Sequence, residues 1–145
     1  MKLFPIGIIH SPYHVPEDAP HQGRFSDLRV KLELFSEYTQ GLKDIEQASY
    51  LIVLYWLHLA DRDVLQTRTP FGEEPRGVFA CRSPSRPNPI AFCVAKLLHR
   101  EGNGLWVRGV EAVDGSPLLD IKPYSSKLDS ITGAKIGWFN RTVES

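Results

Sequence analysis

The sequence predicts a mainly β protein: a small antiparallel barrel with short helices and a docked C-terminal tail. Eleven Pro and eleven Gly cut the 145 residues into short pieces, which disfavours a helical bundle. Between the cuts lie five or six segments with strand patterning, several separated by hairpin-forming residues. Short strands with little helix to cover them leave edges to hide, and closure into a barrel removes those edges.

Taken in order, residues 3–9 read as a strand with Phe4, Ile6 and Ile8 on one face, and residues 10–23, holding three prolines, as a long loop. Residues 28–34 alternate Leu28, Val30, Leu32 and Leu34 with Arg29, Lys31 and Glu33, the pattern of a half-buried strand. A short helix is expected at 42–47. The nearly continuous apolar run 50–57 follows, read as a central strand covered on both faces. Residues 90–98 and 105–113 make two more strands around the glycine-bearing segment Arg100-Glu101-Gly102-Asn103-Gly104. Asp114-Gly115 turns the chain into a last strand at 118–124. The expected organisation is one barrel domain over residues 1–124 and a tail over 125–145 packed on it, because Leu128, Ile131, Ile136, Trp138 and Phe139 supply apolar area for docking.

Seventeen Lys plus Arg balance seventeen Asp plus Glu, so the chain lacks the overall basic field of a general nucleic-acid coat protein, and any grip on nucleic acid must be local. The longest mostly apolar run, Tyr50 to Ala60, is about half a bilayer span and contains His58, which argues against a transmembrane helix. Pro5 interrupts the apolar N-terminus and no small-x-small cleavage site precedes His10, so no signal peptide is expected. Two cysteines, Cys81 and Cys93, form no C-x-x-C pair, which fits a reducing compartment, hence the cytoplasm, and no zinc site. No metal is expected: His10 and His14 have Pro12 between them and no third ligand. Glycine-rich nucleotide fingerprints, a Walker loop and a nucleophile elbow are all missing.

Two segments carry chemistry. In GVFACRSPSRPNPI, residues 77–90, Pro84, Pro87 and Pro89 push Ser83, Arg86 and Asn88 toward extended geometry, giving a stiff ribbon. On a polyproline-like path its Arg82 and Arg86 stand ~12 Å apart. From Pro75 to Arg100 there are basic residues and no acidic one, and an arginine fork suits a carboxylate or a phosphate. The competing reading is a surface loop whose arginines cap backbone carbonyls. In DGSPLLDIKPY, residues 114–124, period-two geometry puts Asp120, Lys122 and Tyr124 on one face and Leu119 and Ile121 on the other. An ordinary sheet surface with a weak Asp120–Lys122 pair is the plainer alternative.

Together, IGIIHSPY, HQG, GLKDIE, YLIVLYWLH, GVFACRSPSRPNPI and DGSPLLDIKPY resemble one family, the S-adenosylmethionine-dependent tRNA methyltransferases often called TrmO or TsaA-like. The resemblance runs from about Ile6 to Tyr124, and IGWF at 136–139 is similar to the ending of short members. It implies a β-barrel methyltransferase with S-adenosyl-L-methionine as cofactor, acting on N6 of N6-threonylcarbamoyladenosine beside the anticodon of tRNA. It also implies a homodimer with the cofactor near the subunit boundary. Carried across by position, the cofactor contacts are His21, Gln22, His58, Leu59, Arg82, Arg86, Leu119, Asp120, Ile121 and Lys122. Asp120, Lys122 and Tyr124 face the reaction. The chain departs from the family pattern at Cys81, at Ala91-Phe92 and at Cys93, and it stops before the second domain of longer members. Two alternatives stand beside this reading: a non-catalytic barrel that binds RNA through the basic ribbon, and a methyltransferase of a different small acceptor.

Overall fold

Where apolar and polar residues alternate strictly, the chain forms a strand with one face inside. Arg29–Leu34 buries Val30, Leu32 and Leu34 and leaves Arg29 and Glu33 in water. In the computed structural model, which describes residues 1–18 and 28–139, eight strands are formed among the described residues. They are β1 (Gly7–His10), β2 (Arg29–Leu34), β3 (Tyr50–Trp56), β4 (Gln66–Thr69), β5 (Gly72–Gly77), β6 (Ile90–Glu101), β7 (Gly104–Arg108) and β8 (Pro117–Pro123).

Six of them close an antiparallel barrel in the order β1-β2-β7-β6-β3-β8, with β8 returning to β1, as the sequence predicts. Its interior is filled by side chains, as a barrel this narrow requires: Ile9, Val30, Leu32, Leu51, Val53, Ala95, Leu105, Val107 and Leu118 are all fully buried. Each large aliphatic group so buried contributes about 1.5–3 kcal/mol. Closure occurs at Gly7, which pairs with Leu34 on one side and Leu118 on the other. A side chain there would run into the Glu33 carbonyl oxygen and the Leu34 backbone, so glycine permits the approach.

Several elements differ from expectation. β1 is shorter than residues 3–9, and its core face carries Gly7 and Ile9 rather than Phe4, Ile6 and Ile8. Ile8 and Ile9 are both apolar, so alternation could not set the parity; the register with Leu32 does. Leu28, half exposed, lies just before β2. The helix expected at 42–47 is replaced by two 3₁₀ turns, Ser36–Leu42 and Ile45–Gln47, parted by Asp44 with φ of 69°. The strand expected at 105–113 ends at Arg108 because Gly109, at φ 101°, turns the chain out of the ladder. β6 continues beyond 98 to Glu101, and a register shift between Leu97 and His99 lets it serve both β3 and β7. The β4–β5 hairpin, absent from the sequence reading, stands apart from the barrel as a separate two-stranded sheet. Among the described residues no helix is long and apolar enough to cross a membrane.

Antiparallel order sorts the connections between the two ends of the barrel. At one end emerge the β1–β2 connection, the β3–β6 excursion that contains the hairpin, and residues 109–116 before β8. At the other lie the 3₁₀ turns, the β6–β7 turn and the start of the tail.

Candidate active site

The arginine-bearing part of the chemistry singled out in the sequence lies at the first of these ends. Residues 57–63, just after β3, are laced to the proline ribbon before β6. The Leu57 amide donates to the Pro89 carbonyl at 2.8 Å, and the Arg86 amide to the Asp61 carbonyl at 3.0 Å. Arg62 adds Nε to the Pro87 carbonyl at 2.7 Å and Nη2 to Asn88 Oδ1 at 3.1 Å, while its guanidinium lies 5.2 Å from the Trp56 ring centroid. Sequence reasoning missed Arg62. The signal available was an arginine two residues after a polar turn, beside an aromatic strand end, and that is too common to stand out.

The ribbon is bent rather than extended. Arg86 reaches back and shares Nη1 between the Cys81 and Ser83 carbonyls, each at 3.1 Å. In this arginine the carbonyl-capping alternative is realised: its guanidinium shapes the loop. Arg82 does something different. Its guanidinium sits 5.5 Å from the Phe92 ring centroid, and among the described residues it pairs with no carboxylate. His58 and Leu59 follow β3 directly, and both are exposed. His21 and Gln22 lie outside the described residues, in the connection between β1 and β2.

Two of the resemblance motifs meet at the same end. The Ser11 amide donates to Asp114 Oδ1 at 3.0 Å and Ser11 Oγ to the Ala112 carbonyl at 2.6 Å, while the Asp114 amide donates to Tyr13 and the Gly115 amide to Ile9. These bonds hold the start of β8 in place, so Ser11 and Asp114 act as scaffold.

β8 carries a bulge. Leu118 pairs with Tyr55, Asp120 with Leu54, Ile121 with Val53 and Lys122 with Ile52, so Leu119 is the extra residue. The extra residue reverses parity, and Leu118 and Ile121 can both turn toward the core while Asp120 and Lys122 share the outer face. Lys122 Nζ lies 3.2 Å from Asp120 Oδ2, with both side chains about half exposed, and Asp120 Oδ1 accepts from the Ile121 amide at 2.9 Å. So exposed an ion pair contributes little to stability.

On that outer face Phe92 of β6 stands opposite Leu54 of β3, which stands opposite Asp120 of β8. With strands ~4.8 Å apart, the row runs about 10 Å from the Arg82-covered ring to the Asp120 carboxylate. Cation, apolar floor and acceptor are thus arrayed on one surface. Tyr124 is not brought there. Its amide donates to the Tyr50 carbonyl, at the far end of β3, about 20 Å along the strand from the level of Trp56 and Ile90. Lys122 falls between.

On the outer face of β3 and β6, Ile52, Leu54, Trp56, Ile90, Phe92 and Val94 form an apolar stretch bounded by Lys96 opposite Tyr50, and Ile90 and Phe92 are 40% and 46% exposed. β3 is central between β6 and β8; its core face is buried, while among the described residues its outer face is only partly covered, short of the expected cover on both.

A closed six-stranded antiparallel barrel, with arginine-bearing loops gathered at one end, defines the class: a small β-barrel protein whose candidate site lies on those loops and an outer strand face. Its residues 8–130 match the tRNA-methyltransferase O N-terminal domain, and the chain belongs to that methyltransferase family. It is 55% identical over 139 residues, 96% of its length, to a probable S-adenosyl-L-methionine-binding protein of Archaeoglobus fulgidus. It is 32% identical over 135 residues, 87% of its length, to the human tRNA (adenine(37)-N6)-methyltransferase. The crystal structure of TrmO from Pseudomonas aeruginosa superposes with a TM-score of 0.80 at 31% identity, over 94% of this chain. The chain spans 38%, 30% and 61% of those three proteins respectively.

Proposed function

We propose that the protein is an S-adenosyl-L-methionine-dependent methyltransferase acting on N6 of N6-threonylcarbamoyladenosine in tRNA, beside the anticodon, as a cytoplasmic homodimer. The observation that carries the reading is the row on the outer face: an Arg82 guanidinium seated on Phe92, without a carboxylate partner among the described residues, facing Asp120 across Leu54. That donor set fits the cofactor. A guanidinium fork takes the methionine carboxylate, an apolar floor takes the adenosine, and Asp120 accepts from a ribose hydroxyl or from the amino group. Arg86, already committed to two carbonyls, keeps the loop shaped around Arg82.

When bound, the cofactor supplies a methyl group on a positively charged sulfur. The protein's part is positioning. Lys122 offers a cation for the threonyl carboxylate of the modified base, and Tyr124 a ring on which an unstacked loop base rests. The carbamoyl group acidifies the N6 proton, so no dedicated strong base is needed. Within one chain, however, Tyr124 stands at the wrong end. A second copy packed antiparallel on the apolar outer face of β3 and β6 would bring Lys122 and Tyr124 of one chain toward Arg82 of the other, and the apolar exposure of that face is what supports the dimer.

The experiment is a calorimetric titration with S-adenosyl-L-methionine, followed by single-turnover transfer of labelled methyl to tRNA with and without the threonylcarbamoyl group. Binding and transfer only to the modified tRNA are expected. Binding with transfer to neither tRNA would move the reading to another acceptor, and absence of binding would favour a non-catalytic RNA-binding barrel.

A further inference from the structure

The β4–β5 hairpin has no core of its own. Neither strand contains a buried residue, and a two-stranded hairpin alone in water is marginally stable at best. At its base the Val78 amide donates to the Leu65 carbonyl at 2.9 Å, and Val78 is fully buried. At its tip Phe71 meets the C-terminal tail: the Phe139 ring centroid lies 4.1 Å away and that of Trp138 6.2 Å. Arg76 of β5 lies 5.1 Å from the Trp138 ring centroid and also pairs with Glu74. The tail is otherwise loosely held. Residues 126–137 are all exposed, with Leu128 and Ile131 at 81% and 78%, and Trp138 and Phe139 are the half-buried pair that follows. Among the described residues the tail therefore docks through Trp138 and Phe139, and not through Leu128, Ile131 or Ile136, which the sequence led one to expect beside them.

The docking place matters because of what the hairpin connects. It is inserted between the loop carrying His58, Leu59 and Arg62 and the ribbon carrying Arg82 and Arg86. We propose that Trp138 and Phe139 form an aromatic latch on Phe71 and Arg76 that orders the hairpin and so holds the two site loops at their binding separation. These are positioning residues, acting through the loops they order. The proposal rests on the reading of those loops as the cofactor site.

The test uses the full chain with the substitutions Phe71→Ala, Trp138→Ala and Trp138→Phe. Amide hydrogen exchange is followed separately in β4–β5 and in the barrel strands, with calorimetric titration of S-adenosyl-L-methionine alongside. For the two alanine variants, exchange in the hairpin is expected to rise about tenfold while barrel exchange stays unchanged, and cofactor affinity is expected to fall about tenfold. Trp138→Phe, which keeps a ring for Phe71 and Arg76, is expected to recover most of both. Unchanged hairpin exchange overturns the latch. Faster hairpin exchange with undiminished affinity overturns its positioning role, and a parallel loss of barrel protection makes the cluster part of the general fold and overturns it too. If the unsubstituted protein fails to bind the cofactor, the cofactor reading and the positioning role fall together, whereas the exchange comparison still decides the latch.

Discussion

Arg82 and Arg86 stand four positions apart in one ribbon, yet their surroundings give them different work. Arg86 satisfies two backbone carbonyls. Replacing it with alanine leaves those acceptors unpaired in a half-buried loop, at about 1–3 kcal/mol, so both melting temperature and cofactor affinity are expected to drop. Arg82→Ala removes only a side chain resting on a ring, and is expected to lower affinity while leaving the melting temperature within a degree or so, roughly the surface-substitution limit. Thermal melts and calorimetry on the two variants separate the roles; equal thermal losses would reject the division. Cys93 supplies a pH prediction. Burial, reinforced by Glu111, pushes its thiol up from 9.0 to about 12. The folded protein thus favours the protonated thiol, a contribution fully present below pH 9 and lost as pH rises toward 12. Unfolding free energy measured from pH 8 upward is expected to fall less steeply in Cys93→Ala than in the unsubstituted protein.

At the scale of the element, β8 shows how far alternation carries. The face shared by Asp120 and Lys122 was legible because polar and apolar residues alternate from Asp120 onward. The bulge at Leu119 was not, since no local residue type announces which of two leucines is extra; the pairing with Tyr55 and Leu54 decides it. Asp120→Asn is accordingly expected to keep the fold and slow methyl transfer, because an amide still accepts the Ile121 amide hydrogen but carries no charge. Ile121→Asn, which places an amide against the core, is expected to melt early. The opposite pattern in melts and single-turnover rates would reverse the faces. Gly7→Ala tests closure of the barrel: its new methyl meets backbone on β2, which cannot swing away as a side chain can, so a loss of about 1–3 kcal/mol in denaturant unfolding is expected.

For the whole molecule, the apolar outer face of β3 and β6 is the feature one chain leaves unexplained. Val94→Glu puts a charge on that face away from the arginine loops. If the face joins two copies, sedimentation of the unsubstituted protein shows a dimer at micromolar concentration, and the variant shows a folded monomer with weakened cofactor binding. A monomeric unsubstituted protein that binds cofactor would remove the dimer from the proposal. Saturating cofactor at a hundredfold over its dissociation constant should add about 2.7 kcal/mol of stability to the intact protein.

The sequence by itself determined the barrel class, because period-two patterning and turn residues are local properties that any short strand displays. It also singled out the segments proposed to carry chemistry, since proline-flanked arginines and an Asp-x-Lys row are unusual as strings. Only the tertiary structure decided that Arg86 is a loop brace while Arg82, among the described residues, pairs with no carboxylate, that Tyr124 lies a strand length from both, and that the tail closes on a hairpin by two aromatic rings. Those are relations between residues far apart in the chain. They depend on strand register, bulges and the order in which strands close the barrel, and non-local pairing leaves no periodic trace in the sequence.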